Sequence, residues 1–205
     1  MILDSTGVDA ALSALGEHLE YGDAEQVEMI VCGGSALQAL GLIRRVTRDV
    51  DVLALFGGMT DGHRDLLSAE PLPDSVVSAA AIVARDLELP GNWLNAGPTD
   101  LLSQGLPEGL LDRLHSRRYG ARLVVHFIGR FDQICFKLYA AVNGGSAHHL
   151  SDLRALTASE DEMLAAAQWC LTQDASEVFP AVVVSFLEKT GYQNVAKRLG
   201  SDNQE

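Results

Sequence analysis

The chain has 205 residues, 47% of them apolar, a composition that supports a buried core and argues against intrinsic disorder. Lys and Arg total 15 against 28 Asp and Glu, a formal net charge of -13 that argues against a broad basic surface for sequence-blind nucleic-acid binding but leaves room for a local basic groove. The longest uncharged apolar-rich stretch, Val76 to Val83, is far short of the roughly 20 residues of a membrane span. The Met1-Ile2-Leu3-Asp4 start has no secretory pattern. Cys32, Cys135 and Cys170 form no CxxC and read as small core residues. A cytoplasmic, soluble protein with no membrane contact is expected.

Apolar positions Val8, Leu12, Leu15 and Leu19 predict a helix over 8–21. Val27 to Val31 reads as a short strand ended by Cys32-Gly33-Gly34. Ser35 is placed to cap a short helix from Ala36 to Leu40, which Gly41 stops. Asp49 to Leu55 alternates like a half-buried strand, and Phe56 to Gly62 has loop chemistry. A helix capped by Asp74 or Ser75 is expected over 74–87. The segment 89–109 holds three of the six prolines and four glycines and is the longest loop candidate. Arg122 to Ile128 reads as a buried strand and Phe131 to Val142 as a helix. A break at Gly144-Gly145 separates that helix from another near His149 to Leu156. Beyond Ser159 the pattern is helical at 160–171, 177–189 and 192–199, although the β-branched run Val182-Val183-Val184 favours a strand locally. Residues 201–205 read as a disordered tail.

The most informative segment is Gly33-Gly34-Ser35 followed by Arg44-Arg45-Val46-Thr47-Arg48-Asp49-Val50-Asp51. A strand ending in two glycines lets backbone N–H groups approach a ligand without a Cβ in the way. The helix after Ser35 turns its positive end to the same place, an anion site. Asp49 and Asp51 stand at i and i+2, so on a strand both carboxylates project from one face. Two carboxylates beside a phosphate cradle suit Mg²⁺, which shares hard oxygen ligands with substrate phosphates. The alternative reading makes the two aspartates solvated residues of an edge strand and the glycines a tight turn. Arg48 is placed to pair with a phosphate or with Asp51; Arg44 and Arg45 read as loop cations.

This layout resembles the DNA polymerase β-like nucleotidyltransferase superfamily, whose signature is a Gly-Gly-Ser turn followed by Asp-x-Asp. Lys137-Leu138-Tyr139-Ala140-Ala141, with His149-Leu150-Ser151-Asp152-Leu153 after a break, is similar to a portion of the AbiE-type toxin branch. Trp93-Leu94-Asn95 looks like a recurring piece of related uncharacterised bacterial proteins. The resemblance spans roughly residues 27 to 157. It implies an α/β fold of the α+β kind, a small mixed sheet flanked by helices. A nucleotidyltransferase-like domain would cover 1–157 and a C-terminal helical region 158–200. It also implies Mg²⁺-dependent transfer of a nucleotidyl group from an NTP to an RNA, protein or small-molecule acceptor, RNA being disfavoured by the acidic balance, in a chain that belongs to a toxin–antitoxin pair. Asp49 and Asp51 would bind the metal, while Gly33, Gly34, Ser35, Arg48 and Lys137 would hold the nucleotide. Asp152 would complete the catalytic set with the two strand aspartates.

The chain departs from that pattern where many active members carry a third carboxylate on a later strand. Here the strand reads Leu123-Val124-Val125-His126-Phe127, and Ser151-Asp152 replaces the branch's frequent Arg-Asp or Lys-Asp. The competing reading is therefore a nucleotidyltransferase fold without turnover that binds nucleotide or regulates a partner. His126 reads as a satisfied core histidine. Arg113, His115, Arg117, Arg118 and Arg122 form a basic cluster that reads either as a guide for a nucleotide or RNA acceptor or as a solvated helix face. His148-His149 has no partner at zinc-ligand spacing.

Overall fold

The computed structural model describes residues 5–60, 63–144 and 147–202. Its contacts divide the chain into two compact units, one drawn from 1–103 and 109–129, the other from 104–108 and 130–205. The expected boundary at 157/158 is not where this division falls: the two helices that precede residue 157 belong with the C-terminal ones.

The first unit begins with α1 (Ser5–Tyr21), whose Val8, Leu12, Leu15 and Leu19 share one buried face. There follow β1 (Val27–Cys32), α2 (Gly33–Ala39), β2 (Val50–Thr60), β3 (His63–Leu67), α3 (Asp74–Asp86), β4 (Leu94–Asn95), α4 (Leu101–Gln104), β5 (His115–Arg118) and β6 (Leu123–Phe127). The six strands make one mixed sheet in the order β3-β2-β1-β6-β5, with β4 pairing β2. β1 runs parallel to β6 and antiparallel to β2, and β5 closes the far side antiparallel to β6. Strand alternation separates two faces. Met29, Val31, Val50, Val52, Leu123, Val125 and Phe127 enter one core with α1 and α3. Glu28, Ile30, Cys32, Asp51, Val124 and His126 occupy the opposite face.

Several local expectations change. Ser35 does not cap α2: the helix starts at Gly33 with Cys32 as its N-cap, and the Ser35 hydroxyl donates back to the Cys32 carbonyl (3.3 Å). Helix α3 is preceded by Pro73, and neither Asp74 nor Ser75 is its cap. Phe56 to Thr60 continues β2 and pairs with β3; Gly62, at the end of the expected loop, lies outside the described residues. The register slips between Phe56 and Met59, and at Gly57 a side chain would press on Leu67, so the glycines mark a bulge against a close neighbour. The 89–109 segment is tied down by Trp93. Its ring is fully buried, its Nε1 donates to the Ala80 carbonyl (3.0 Å), and its own carbonyl accepts from Val50 N–H.

The second unit contains α5 (Arg130–Val142), α6 (Ala147–Ala155), α7 (Glu160–Thr172), α8 (Phe179–Thr190) and α9 (Gln193–Asp202). Gly144 has a left-handed φ of 75° in the break before α6; Gly145 lies outside the described residues. The valine run stays helical because Phe179, Val183 and Leu187, four apart, are buried as one stripe. Packing of a helical stripe outweighs a weak intrinsic preference. Ser201 and Asp202 end α9, and the rest of the expected tail, 203–205, lies outside the described residues. Cys32, Cys135 and Cys170 are buried, as expected of small core residues, and burial pushes the Cys170 thiol up to about 12. No described helix is long and apolar enough to cross a membrane.

Three elements of this unit meet at one arginine. Arg130 donates to the Leu156 carbonyl after α6 (2.6 Å from Nη2) and pairs with Glu162 on α7. Glu162 also accepts from Ser159 N–H (2.9 Å), and the Ser159 hydroxyl accepts from Glu162 N–H, a capping box. The Arg130 guanidinium first, and the Ser159 amide second, hold the Glu162 carboxyl below its ordinary value. A depressed carboxyl contributes stability that is complete above its unfolded-state value, about pH 4.5, and is lost as pH falls through the lower folded-state value. Glu162→Gln is expected to lower Tm at pH 7 and to shrink the loss of Tm between pH 6 and about pH 3, as read by circular dichroism melts; an unchanged acid slope would show that the carboxylate contributes nothing.

Candidate active site

The site forms where β1 ends. The antiparallel register sets Asp51 directly opposite Cys32, the last residue of β1. Gly33 then turns the chain into α2 with φ +73°, a left-handed conformation that costs an ordinary L-residue ~1–2 kcal/mol. The Asp51 carboxylate lies over this glycine: a Cβ at Gly33 would overlap Asp51 Oδ2. The other oxygen, Oδ1, accepts from Asn95 Nδ2 (3.1 Å), because β4 joins β2 in parallel with Asn95 beside Asp51. Asn95 in turn uses its Oδ1 to accept Gly97 N–H (3.0 Å), which fixes the amide's orientation.

Asp49 stands just before β2. Its Oδ1 accepts from the Thr47 hydroxyl (3.1 Å), and Thr47 is buried against Gly34, where an added Cβ would lie 2.8 Å from Thr47 Oγ1 and 3.2 Å from Arg45 Nη2. The two aspartates therefore meet the two glycines in sequence. Asp51 touches Gly33 directly, and Asp49 is linked to Gly34 through Thr47. Both carboxylates are half-buried.

Ser35 is fully buried within α2, its hydroxyl directed at the Cys32 carbonyl, so what the Gly-Gly-Ser segment turns toward Asp51 is glycine backbone. Arg48 is exposed. Lys137 and Asp152 lie in the second unit and pair with each other: Lys137 Nζ is 2.9 Å from Asp152 Oδ2, and their side chains are 7% and 2% exposed. Asn95, Thr47 and Arg45 are the site residues that sequence reasoning did not select. The one signal for Asn95 was its place in Trp93-Leu94-Asn95. Thr47 offered none, since its role depends on a contact with Gly34.

The basic cluster is not one helix face: Arg113 ends a short 3-10 turn (Leu110–Arg113), and the rest lies on or beyond a strand. His115, Arg117 and Arg118 lie on β5, an outer strand of the sheet. Arg117 donates to Asp9 (3.1 and 3.3 Å) and to the Ala39 carbonyl, and Arg122 pairs with Asp23 (2.7 Å). The Tyr119 hydroxyl also bonds Asp9 (2.5 Å); burial first, and then this carboxylate, push it above the usual phenol value. His126 is a core histidine with both ring nitrogens engaged. Among the described residues no group of three or more His, Cys, Asp or Glu is placed to hold a metal ion. No family model, curated protein or solved structure matches this chain.

Two stability tests follow from this geometry. Gly33→Ala should cost more than the ~1–2 kcal/mol of left-handed backbone alone, and the excess should vanish when Asp51→Ala is present, as measured by urea unfolding in a double-mutant cycle. An equal cost in both backgrounds would mean that the carboxylate does not occupy the space over the turn. Lys137→Met should cost about 3–5 kcal/mol because it leaves Asp152 buried without its cation, and Lys137→Met with Asp152→Leu should cost less than the single change.

Proposed function

We propose that the chain is a Mg²⁺-dependent nucleotidyltransferase acting in the cytoplasm, which moves a nucleotidyl group from an NTP to an RNA, protein or small-molecule acceptor as one member of a toxin–antitoxin pair. The observation that supports it most is the approach of Asp51 to Gly33 and of Thr47-bound Asp49 to Gly34. This places hard anionic oxygens beside the turn into α2. Asp49 and Asp51 suit Mg²⁺ by donor type, since this ion is commonly held by one or two carboxylates together with substrate phosphates. When bound, such an ion polarises the phosphoryl group. The chain's own share is positioning and charge. Gly33 and Gly34 let Asp51 and Thr47 lie close to the main chain, Asn95 holds Asp51 in place, and Arg45 and Arg48 bring positive charge to the same segment, where they would face the phosphates.

A second reading has a specific observation in its favour. The resemblance gives Lys137 to the triphosphate and Asp152 to the acceptor, yet the two side chains pair with each other in the interior. Their mutual pairing suits a fold that binds nucleotide without turnover and regulates a partner.

The deciding experiment incubates the protein with each α-labelled NTP, Mg²⁺ and either total RNA or cell lysate. Labelled product is expected, with loss of at least 100-fold on Asp49→Ala or Asp51→Ala. Labelling that survives both substitutions would overturn the assignment. A rise in Tm with NTP and Mg²⁺ but no labelled product would select the second reading.

A further inference from the structure

At the opposite end of β1 from the glycine turn, on the same sheet face, three side chains from three neighbouring strands form a hydrogen-bonded row. Ser116 on β5 lies opposite His126 on β6, and Ser116 Oγ is 2.7 Å from His126 Nδ1. His126 Nε2 is 3.2 Å from Oε2 of Glu28 on β1. The proton positions follow from the partners. Glu28 also meets Arg64 Nη1 at 2.6 Å and accepts from Gln26 Nε2 at 2.8 Å, and the Arg64 contact is the main reason its carboxyl lies below the ordinary value. An ionised carboxylate can only accept, so His126 Nε2 carries the hydrogen. In the neutral ring Nδ1 is then a lone pair, and the Ser116 hydroxyl must donate to it.

The surroundings are those of a working base. His126 is 9% exposed, and the Phe56 ring packs edge-on against it at 5.0 Å, while Ser116 at the end of the row is exposed. Tyr119 N–H donates to the Leu123 carbonyl, so by alternation the residues of β5 bonded to β6 are the odd-numbered ones. Ser116 therefore sits in a non-hydrogen-bonded pair, where cross-strand side chains are closest, and its own N–H points away from β6. A nucleophile's own amide is a usual donor to the oxyanion that forms on attack. Both polar distances lie in or at the edge of the range required between nucleophile, base and orienting group.

We propose that Ser116 is a nucleophile toward carboxylic esters, with His126 as its general base and Glu28 as the residue that positions His126. Ser116 Oγ forms a bond to the ester carbonyl carbon as its proton passes to His126 Nδ1. The carbon–oxygen bond to the alcohol then breaks, and the alcohol leaves with that proton. Water repeats the sequence on acyl-Ser116, releasing the acid and restoring the hydroxyl. This chemistry uses none of Gly33, Gly34, Asp49 or Asp51 and stands independently of nucleotidyl transfer.

The test is reaction of the full chain with a fluorophosphonate probe, with the labelled peptide located by mass spectrometry. Labelling at Ser116 is expected in the folded protein and not in urea, abolished by Ser116→Ala and slowed at least tenfold by His126→Gln. Glu28→Gln should slow labelling and Glu28→Asp should restore it in part, because Asp keeps a carboxylate that can accept from His126 Nε2, a recovery that a purely structural role would not produce. Should His126→Gln fail to fold, Ser116→Cys answers the same question, because the three native thiols are buried. Its alkylation by iodoacetamide at pH 6 should be at least tenfold faster folded than in urea. Equal labelling of folded and unfolded chain, equal rates in wild type and a folded His126→Gln, or no folded-state advantage for Ser116→Cys would each overturn the proposal.

Discussion

The pairing register between β1 and β2 is the constraint on which the rest depends. Cys32 opposite Asp51 brings a carboxylate over the first residue of the turn and leaves Val50 and Val52 to the core. Slipping by one residue would send Asp51 into the apolar layer and Val50 and Val52 out of it, a reversal that strand periodicity makes all-or-none. The bulge between Ile30 and Val31 adjusts this register. It lets Met29 match Leu55 at one end of the strand while Val31 matches Val52 at the other, so that both halves feed the same core. The glycine turn and the aspartates are thus consequences of a packing decision made along the whole strand.

What could be read from the chain in advance was whatever repeats. The helical stripe of α1, the alternation at the start of β2, the apolar run of β6 and the helices after Ser159 all follow from spacing of apolar residues, and each is where the spacing puts it. The i, i+2 geometry expected of the two aspartates applies to Asp51 alone, because β2 begins at Val50 and Asp49 lies before it. Features that depend on partners distant in sequence were not legible. The end of β2 looks like loop because Gly57 and Gly58 lack β propensity, and only contact with β3 makes them strand. Segment β5 looks like a solvated helix face because its residues are charged. Ser35 resembles a cap, and only the backbone at Gly33 shows that the helix has already begun. Asn95 and Thr47 act through Asp51 and Gly34, contacts that no local pattern encodes.

Ionic groups are used differently in the two units. In the first, Glu28 joins the buried His126 to the exposed Arg64, so solvent reaches the chain from one end and moderates the cost of charge. In the second, Lys137 and Asp152 meet in the interior, where withdrawing each ion from water costs several kcal/mol that only a close partner offsets. Such a pair adds little net stability. Its effect is selective, since any arrangement of α5 and α6 that separates the two side chains strands a charge.

The cationic residues of β5 have a further consequence for how this molecule behaves in company. An outer strand with free main-chain groups along one side is a template for another strand, and two copies meeting edge to edge could extend the sheet without limit. Arg117, paired with Asp9, and Arg118 bring positive charge to that outer strand. Two such borders brought together would repel, while the remaining surface of each copy carries the excess of acid. A cluster that looks like a landing place for polyanions also works as a fence against aggregation.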